Sequence, residues 1–303
     1  MRAFWWDPRR SAIRELAIRG PLWLSLFRSV RKFQNFGDSV NPLILRELTG
    51  RQIVWAQLGQ EDVVCVGSML DAYRRDGGQG LILGTGVRNS AMPFRDFPVS
   101  RVLGVRGLDS ARIVGVSAEA AIGDPGLLIS EIVPKGKGRS GPPAFIPHLR
   151  MFGSRRGHTL IRALAAKGFT IIPPNSDPVD VARSVSTASS VLATSLHALV
   201  FADSFGVPCA RLEVPWLREP LFKFGDYRSV FDVGLASVSI AAALSGADVR
   251  KSLTKNAGAS PSNCTACWAM AGGGACACSG TRSRTQPPLT GSCARWGCAT
   301  AGG

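Results

Sequence analysis

The fold is decided by Val191-Leu-Ala-Thr-Ser-Leu-His-Ala-Leu-Val-Phe-Ala-Asp-Ser-Phe-Gly-Val-Pro-Cys-Ala-Arg211. Ser190 to Ala193 is short, apolar and β-branched at Val191, as a buried strand requires. Thr194 and Ser195 suit a helix N-cap. Leu196, Leu199 and Val200 then recur at helical spacing, and Gly206 with Pro208 ends the helix. The stretch thus predicts strand, sharp turn and helix, with His197 in the helix's first turn. Ligands bind at the carboxyl ends of strands in open α/β sheets. Free backbone N–H groups and the helix dipole favour an anion there. An imidazole beside a bound phosphate or carboxylate can give or take a proton. Structural histidines occupy such turns equally often, so the case for His197 rests on the rest of the chain.

Working outward, the same alternation continues on both sides. Downstream, Pro208 to Glu213 reads as another strand. Upstream, Ala144-Phe-Ile146 ends in Pro147-His148, a helix runs from His158 to Ala166, Phe169 to Ile172 is a strand, and Asp177-Pro178 opens a helix through Val185. In the first half, Ile53 to Ala56 and Val63 to Val66 are strands, the second followed by Gly67-Ser68. Leu81 to Leu83 leads into Gly84-Thr85-Gly86, and Arg101 to Val105 into Arg106-Gly107. Strand and helix alternating this regularly predicts an α/β fold with parallel sheets. Three successive strands ending in glycine turns suggest a common cleft, because small residues let backbone approach a ligand. None of these turns is a Walker or dinucleotide fingerprint.

The expected organisation is a basic, aromatic lead-in over 1–34, an N-terminal Rossmann-like domain over 35–125, a C-terminal one over 143–250, and a tail over 251–303. The long connection over 117–142 holds the boundary. The tail is rich in Ala, Gly, Cys, Ser, Thr and Arg without a periodic core face. It is expected to be disordered, or an out-of-frame translation of a GC-rich gene end. Six of the eight cysteines fall there, without the paired spacing of a zinc site. Cys65 and Cys209 read as small buried hydrophobes.

The chain has 303 residues, 45% of them hydrophobic, enough for a substantial core. Its 36 Lys and Arg against 21 Asp and Glu give a formal charge of +15. That balance suits an anionic ligand, nucleic acid or an anionic membrane surface. No lysine run, zinc finger or aromatic ladder supports nucleic acid, and none is expected as a partner. No stretch has the length of a transmembrane helix and the N-terminus lacks a signal-peptide pattern, so the expected location is the cytoplasm. Phe4-Trp5-Trp6 and Leu22 to Phe27 suit peripheral contact with the inner face of the membrane, although aromatic segments more often belong to the core.

Two candidates have plain alternatives. Asp38, behind Gly37, reads either as the N-cap of the helix at Asn41 to Leu48 or as a carboxylate facing a sugar hydroxyl. Arg106 reads either as a bidentate grip on an anion or as a surface partner of Asp109. His148, like His197, ends a strand, whereas His158 starts a helix on a loop and reads as solvent-facing.

Asn35-Phe-Gly-Asp38, Gly67-Ser68, Gly84-Thr-Gly86, Val105-Arg-Gly107, Gly123-Asp-Pro125, Ile146-Pro-His148, Asp177-Pro178 and Ser195-Leu-His197 with Gly206-Val-Pro208 stand in an order that resembles the polysaccharide pyruvyl transferase family. The resemblance covers roughly 33–235. Phe222-Lys-Phe-Gly-Asp-Tyr227 is similar to the bacterial exopolysaccharide branch. The resemblance implies two Rossmann-like domains facing a cleft, similar to GT-B glycosyltransferases. It implies transfer of a pyruvyl group from phosphoenolpyruvate to a sugar of an exopolysaccharide, or to its lipid-linked oligosaccharide precursor, as a ketal, with no cofactor and no metal. In those terms His197 is the candidate general acid and Asp38 activates an acceptor hydroxyl. Arg106 and His148 bind the donor's anions, with Gly67, Ser68, Gly84, Thr85, Gly86, Ser195 and Leu196 lining the substrate. Many members carry Arg where this chain has Ser195 and Gly where it has Ala198. The competing readings are a nucleotide-sugar glycosyltransferase and a degenerate, non-catalytic homologue serving polysaccharide assembly.

Overall fold

The computed structural model describes residues 1–7, 34–90, 94–116, 121–136, 140–231 and 234–245. The expected tail, the segment from Leu22 to Phe27 and the six C-terminal cysteines lie outside the described residues.

The α/β class with parallel sheets is as expected. The first sheet has six strands in the order β2-β1-β3-β4-β5-β6. They are β1 (Arg2–Phe4), β2 (Val54–Trp55), β3 (Val63–Val64), β4 (Leu81–Leu83), β5 (Val102–Val105) and β6 (Ala121–Ile122). The second has five in the order β11-β10-β9-β7-β8: β7 (Ala144–Ile146), β8 (Thr170–Ile171), β9 (Val191–Ala193), β10 (Cys209–Glu213) and β11 (Ser237–Ser239). Every strand pairing is parallel.

Helices follow most strands. They are α1 (Phe36–Ser39), α2 (Asn41–Thr49), α3 (Leu70–Arg75), α4 (Leu108–Val114), α5 (Ile129–Ile132), α6 (Arg155–Ala166), α7 (Pro178–Thr187), α8 (Leu196–Ser204), α9 (Phe222–Arg228) and α10 (Ile240–Ser245). A parallel strand must be re-entered from its far end, so each crossover covers a face of its sheet.

The lead-in differs from the sequence expectation. Residues 2–4, expected to lie in it, form β1 between β2 and β3. Trp5 packs against the main core, and its carbonyl accepts from the Trp55 indole at 3.0 Å. No helix among the described residues is long and apolar enough to cross a membrane.

The helix that carries His197 has apolar residues on every face, and α8 is correspondingly buried all round, its Asp203 and Ser204 included. It packs on β9, β10, α5, α7 and the 3₁₀ turn at Pro125–Leu128. The surrounding cluster joins residues of both sheets, including Ala3, Val63, Ala144 and Val191. Full burial of a side chain such as Phe201 contributes about 1.5–3 kcal/mol. Such packing fixes the helix, and with it His197, as one rigid element between the two halves.

Candidate active site

The site starts at the amino end of α8. Ser195 holds the N-cap position but makes no side-chain cap bond, contrary to the sequence expectation. Its Oγ is buried without a partner, and so is Nε2 of His197. Two orphaned polar atoms at the first turn of a nine-residue helix, beside free backbone N–H groups, are what an anion or a hydroxyl-bearing ligand would satisfy. Thr194 bonds elsewhere. Its Oγ1 accepts from the His148 N–H at 2.6 Å, fixing the end of β7 to the end of β9.

The first half meets this helix through α1. Gly37 lies against the His197 ring, where a side chain would overlap it. The next residue, Asp38, is buried and accepts from Asn35 Nδ2 at 2.6 Å. It is no cap for α2, whose N-cap is Val40. Asn41 locks the arrangement: its Nδ2 donates to the carbonyls of Asp38 and Val66, and its Oδ1 accepts from the Val66 N–H. Asp38 is thereby held beside Gly67 at the end of β3.

The charges of these groups are set by burial. It raises the Asp38 carboxyl to about 7, against the pull of Asn35, Arg88 and Lys223. The same desolvation lowers His197 to about 3, helped by the charges of Lys223 and Arg106. Near neutral pH the Asp38 carboxyl therefore shares a proton with solvent, while the His197 ring is neutral. Burial thus favours the neutral ring over the imidazolium that a proton donor at His197 calls for.

Arg106 also departs from expectation. Its side chain is 0% exposed. Nε and Nη2 reach Asp226 Oδ2 at 3.0 and 2.8 Å, Nη1 donates to Ser68 Oγ at 2.6 Å, and Nη2 donates to the Val87 carbonyl at 2.7 Å. Every guanidinium nitrogen is thus engaged by protein, and Asp109 pairs with Arg112 instead. Asp226 in turn accepts from Ser110 N and Oγ. The three glycine turns close around this guanidinium. The Gly67 carbonyl accepts from Thr85 Oγ1 and Gly86 N, Gly84 N donates to the Gly104 carbonyl, and Gly86 leaves the space that the Arg106 head fills. Gly67, with φ of 118°, adopts a backbone that disfavours any side chain. These turns build the floor under Asp38 more than an open ligand loop.

Around His148 the structure brings together residues to which the sequence reading gives no role. Glu219, whose side chain is 5% exposed, faces His148 Nε2 at 3.3 Å, Arg150 Nη1 at 3.3 Å, Arg88 Nη2 at 3.2 Å and Lys223 Nζ at 2.7 Å. Burial lowers His148 to about 3. Burial alone would raise Glu219, but His148, Lys223 and Arg88 outweigh it and hold the carboxyl at about 2. With the His148 ring neutral, the lasting share of that pull is from Lys223 and Arg88. Lys223 is itself lowered to about 8, by burial and by Arg88, against the pull of Glu219. Since Lys223 and Arg88 also act on Asp38, the two parts form one electrostatic site. Arg88, Arg150 and Glu219 escape a sequence reading because isolated charged residues on loops and helices normally face solvent, whereas Lys223 and Asp226 lie in the Phe222–Tyr227 motif but are given no role there. His158 is exposed as expected. Among the described residues no group of three or more His, Cys, Asp or Glu side chains could hold a metal ion.

The family model described as polysaccharide pyruvyl transferase matches residues 122–214. The chain is 28% identical over 178 residues to the succinoglycan biosynthesis protein ExoV of Rhizobium meliloti (strain 1021), which is 57% of this chain and 54% of that protein. The chain therefore spans about half the length of that curated relative. The resemblance read from the motifs holds: from Ile122 to Val214, the segment that carries His148 and His197, the chain matches the polysaccharide pyruvyl transferase family.

Proposed function

We propose that the protein transfers the pyruvyl group of phosphoenolpyruvate to a sugar of an exopolysaccharide or its lipid-linked precursor, forming a ketal. The observation that carries this is the packing of Gly37, directly before the buried Asp38, on the ring of His197 from the other half, with the charge of Lys223 acting on both groups. A cleft between the two halves, as in GT-B enzymes, would admit donor and acceptor to this point. The donor carries a carboxylate and a phosphate, which the positive surroundings and the unpaired Ser195 and His197 atoms suit. Two hydroxyl oxygens bond to the enol carbon, its methylene takes a proton to become methyl, and inorganic phosphate leaves with the second hydroxyl's proton.

The charge states favour one assignment of roles. Asp38, raised to about 7, supplies the proton to the methylene, and the neutral His197 ring takes the proton of the attacking hydroxyl. This reverses the roles expected from the sequence, for the physical reason that burial disfavours imidazolium and carboxylate alike. Arg106 becomes a positioning residue: it holds Ser68 and the glycine turns beneath Asp38. His148 lies on the cationic side with Glu219. The reading also places the protein in the cytoplasm, working at the membrane surface if its acceptor is lipid-linked.

The test is calorimetric titration of the full chain with phosphoenolpyruvate, followed by assay of phosphate release and ketal formation with candidate glycans. Binding with turnover supports the reading. Binding without turnover across the glycan series supports the degenerate homologue instead. A folded protein that binds no phosphoenolpyruvate sinks it.

A further inference from the structure

A cavity of about 180 Å³ opens where β9 and β10 end, with Thr194 and Arg211 in its lining. Five of the nine lining residues are apolar: Leu212, Val214, Pro215, Leu217 and Leu221. Leu221 is 59% exposed, more than any other large hydrophobic side chain among the described residues. Sites for small ligands combine such an apolar wall with a few polar groups that fix orientation. The volume limits what fits. It is well below the roughly 300–1,000 Å³ of sites that enclose drug-sized ligands, so it suits one ring and not a nucleotide with its sugar.

The polar groups of the lining have hydrogen-bonding capacity to spare. Arg211 carries five N–H donors on a guanidinium that lies over the Phe224 ring, 5.4 Å from its centroid. Glu213 comes no nearer to it than 3.9 Å, beyond hydrogen-bonding distance. Among the described residues no group accepts a hydrogen bond from Arg211, although its side chain is only 17% exposed. Arg218, in the same lining, has φ of 51°, a left-handed conformation that non-glycine residues adopt at a cost and that collects at ligand clamps. Glu219 brings a carboxylate to the lining, which disfavours an anionic occupant. A small uncharged molecule with one carbon face and a rim of hydroxyl oxygens matches these walls.

We propose that this cavity seats one uncharged hexopyranose ring, its carbon face against Leu217 and Leu221 and its hydroxyl oxygens accepting from Arg211 and Arg218. The position suits a reacting sugar: Thr194 of the lining directly precedes Ser195, whose orphaned hydroxyl stands at the amino end of the helix that carries His197. That the ring belongs to a pyruvyl acceptor rests on the function proposed above; the seat itself does not.

The probes are the methyl glycosides of glucose and galactose, titrated into the full chain and followed by saturation-transfer NMR without phosphoenolpyruvate. At least one is expected to bind. Arg211→Met keeps an apolar stem over Phe224 and removes the donors, and should weaken that binding about tenfold or more, as expected for lost charge-assisted hydrogen bonds. Leu221→Asn removes carbon contact and should weaken it about threefold or more. Val54→Thr alters an apolar side chain that is 52% exposed on β2, away from the cavity, and should leave it unchanged. No binding of either glycoside overturns the proposal, as does binding that survives both Arg211→Met and Leu221→Asn. Tighter binding of methyl glucuronide than of either neutral glycoside overturns the uncharged ring. If Arg211→Met does not fold, Arg218→Gly decides in its place. Arg218 is exposed and glycine accepts its φ, so weaker glycoside binding by that variant supports the seat and unchanged binding overturns it. If the glycoside binds as expected but phosphoenolpyruvate does not, the sugar seat stands and the pyruvyl reading fails. If phosphoenolpyruvate binds and neither glycoside does, the seat fails and that reading stands.

Discussion

Gly37 of α1 lies so close to the His197 ring of α8 that a β-carbon on Gly37 would overlap the imidazole. The contact joins the two halves at the proposed reacting point. In an ordinary helix, Gly→Ala stabilises by roughly 0.5–1 kcal/mol. Here the sign should invert. Gly37→Ala is expected to destabilise by about 1–3 kcal/mol through overpacking, and to weaken phosphoenolpyruvate binding by displacing the ring. Urea unfolding and calorimetry check both. A stabilised variant would mean that the halves part easily at this point.

Arg106 and Asp226 give a second expectation. Both side chains are fully buried, and the pair ties β5 of the first sheet to α9. Removing one partner leaves the other charge uncompensated, at a cost of roughly 3–5 kcal/mol. Arg106→Met should therefore lower the unfolding midpoint sharply, and Arg106→Met with Asp226→Leu should recover much of it. Loss of ligand binding in the single variant would then reflect the collapsed floor under Asp38. An Arg106→Met protein of unaltered stability that fails to bind phosphoenolpyruvate would return Arg106 to direct contact with the ligand.

Much of this is legible in the sequence, and the parts that are not share a cause. The strand–turn–helix at Val191 to Ser204 is readable because apolar periodicity and punctuation agree there. β1 is not, because three residues beginning with Arg2 carry no periodic signal and gain their place only through β2 and β3. His148, His197 and Asp38 are visible as chemistry at strand ends and turns. Lys223, Asp226 and Arg228 are invisible as buried groups: on α9 they read as a polar surface. Their burial follows from a tertiary fact, the docking of α9 against α4 and α8, where Tyr227 and Arg228 meet Asp203. Glu219 is hidden for the same reason.

Protonation gives a third expectation. A donor bearing a carboxylate and a phosphate adds negative charge beside Asp38, which favours its protonated form still further. Asp38, at about 7 in the free protein, is poised to take up a proton. Binding phosphoenolpyruvate slightly above neutral pH should absorb roughly half a proton or more, seen as a dependence of the calorimetric enthalpy on the buffer's ionisation heat. Asp38→Asn should remove the uptake, and His197→Gln should leave it. The opposite result would put the transferable proton on the imidazole.

Asp124 gives the last. Its Oδ1 accepts from the Gly126 N–H at 2.8 Å, while its Oδ2 is buried with no partner. Burial raises the carboxyl to about 6, against the pull of Gly126 and Arg106. The unfolded chain holds this group near the ordinary value of about 3.9. Between those values the folded protein binds more protons than the unfolded one, so stability falls as pH rises through the window. Asp124→Asn keeps the acceptor for Gly126 and removes the ionisation. Relative to the unaltered protein it should therefore gain stability from about pH 4 to about pH 8, by an amount on the order of 2 kcal/mol. Chemical denaturation of both proteins at the two pH values measures the difference. A variant whose relative stability is flat or falls across that range would mean that the carboxylate finds a partner when it ionises, most simply by turning toward Arg106.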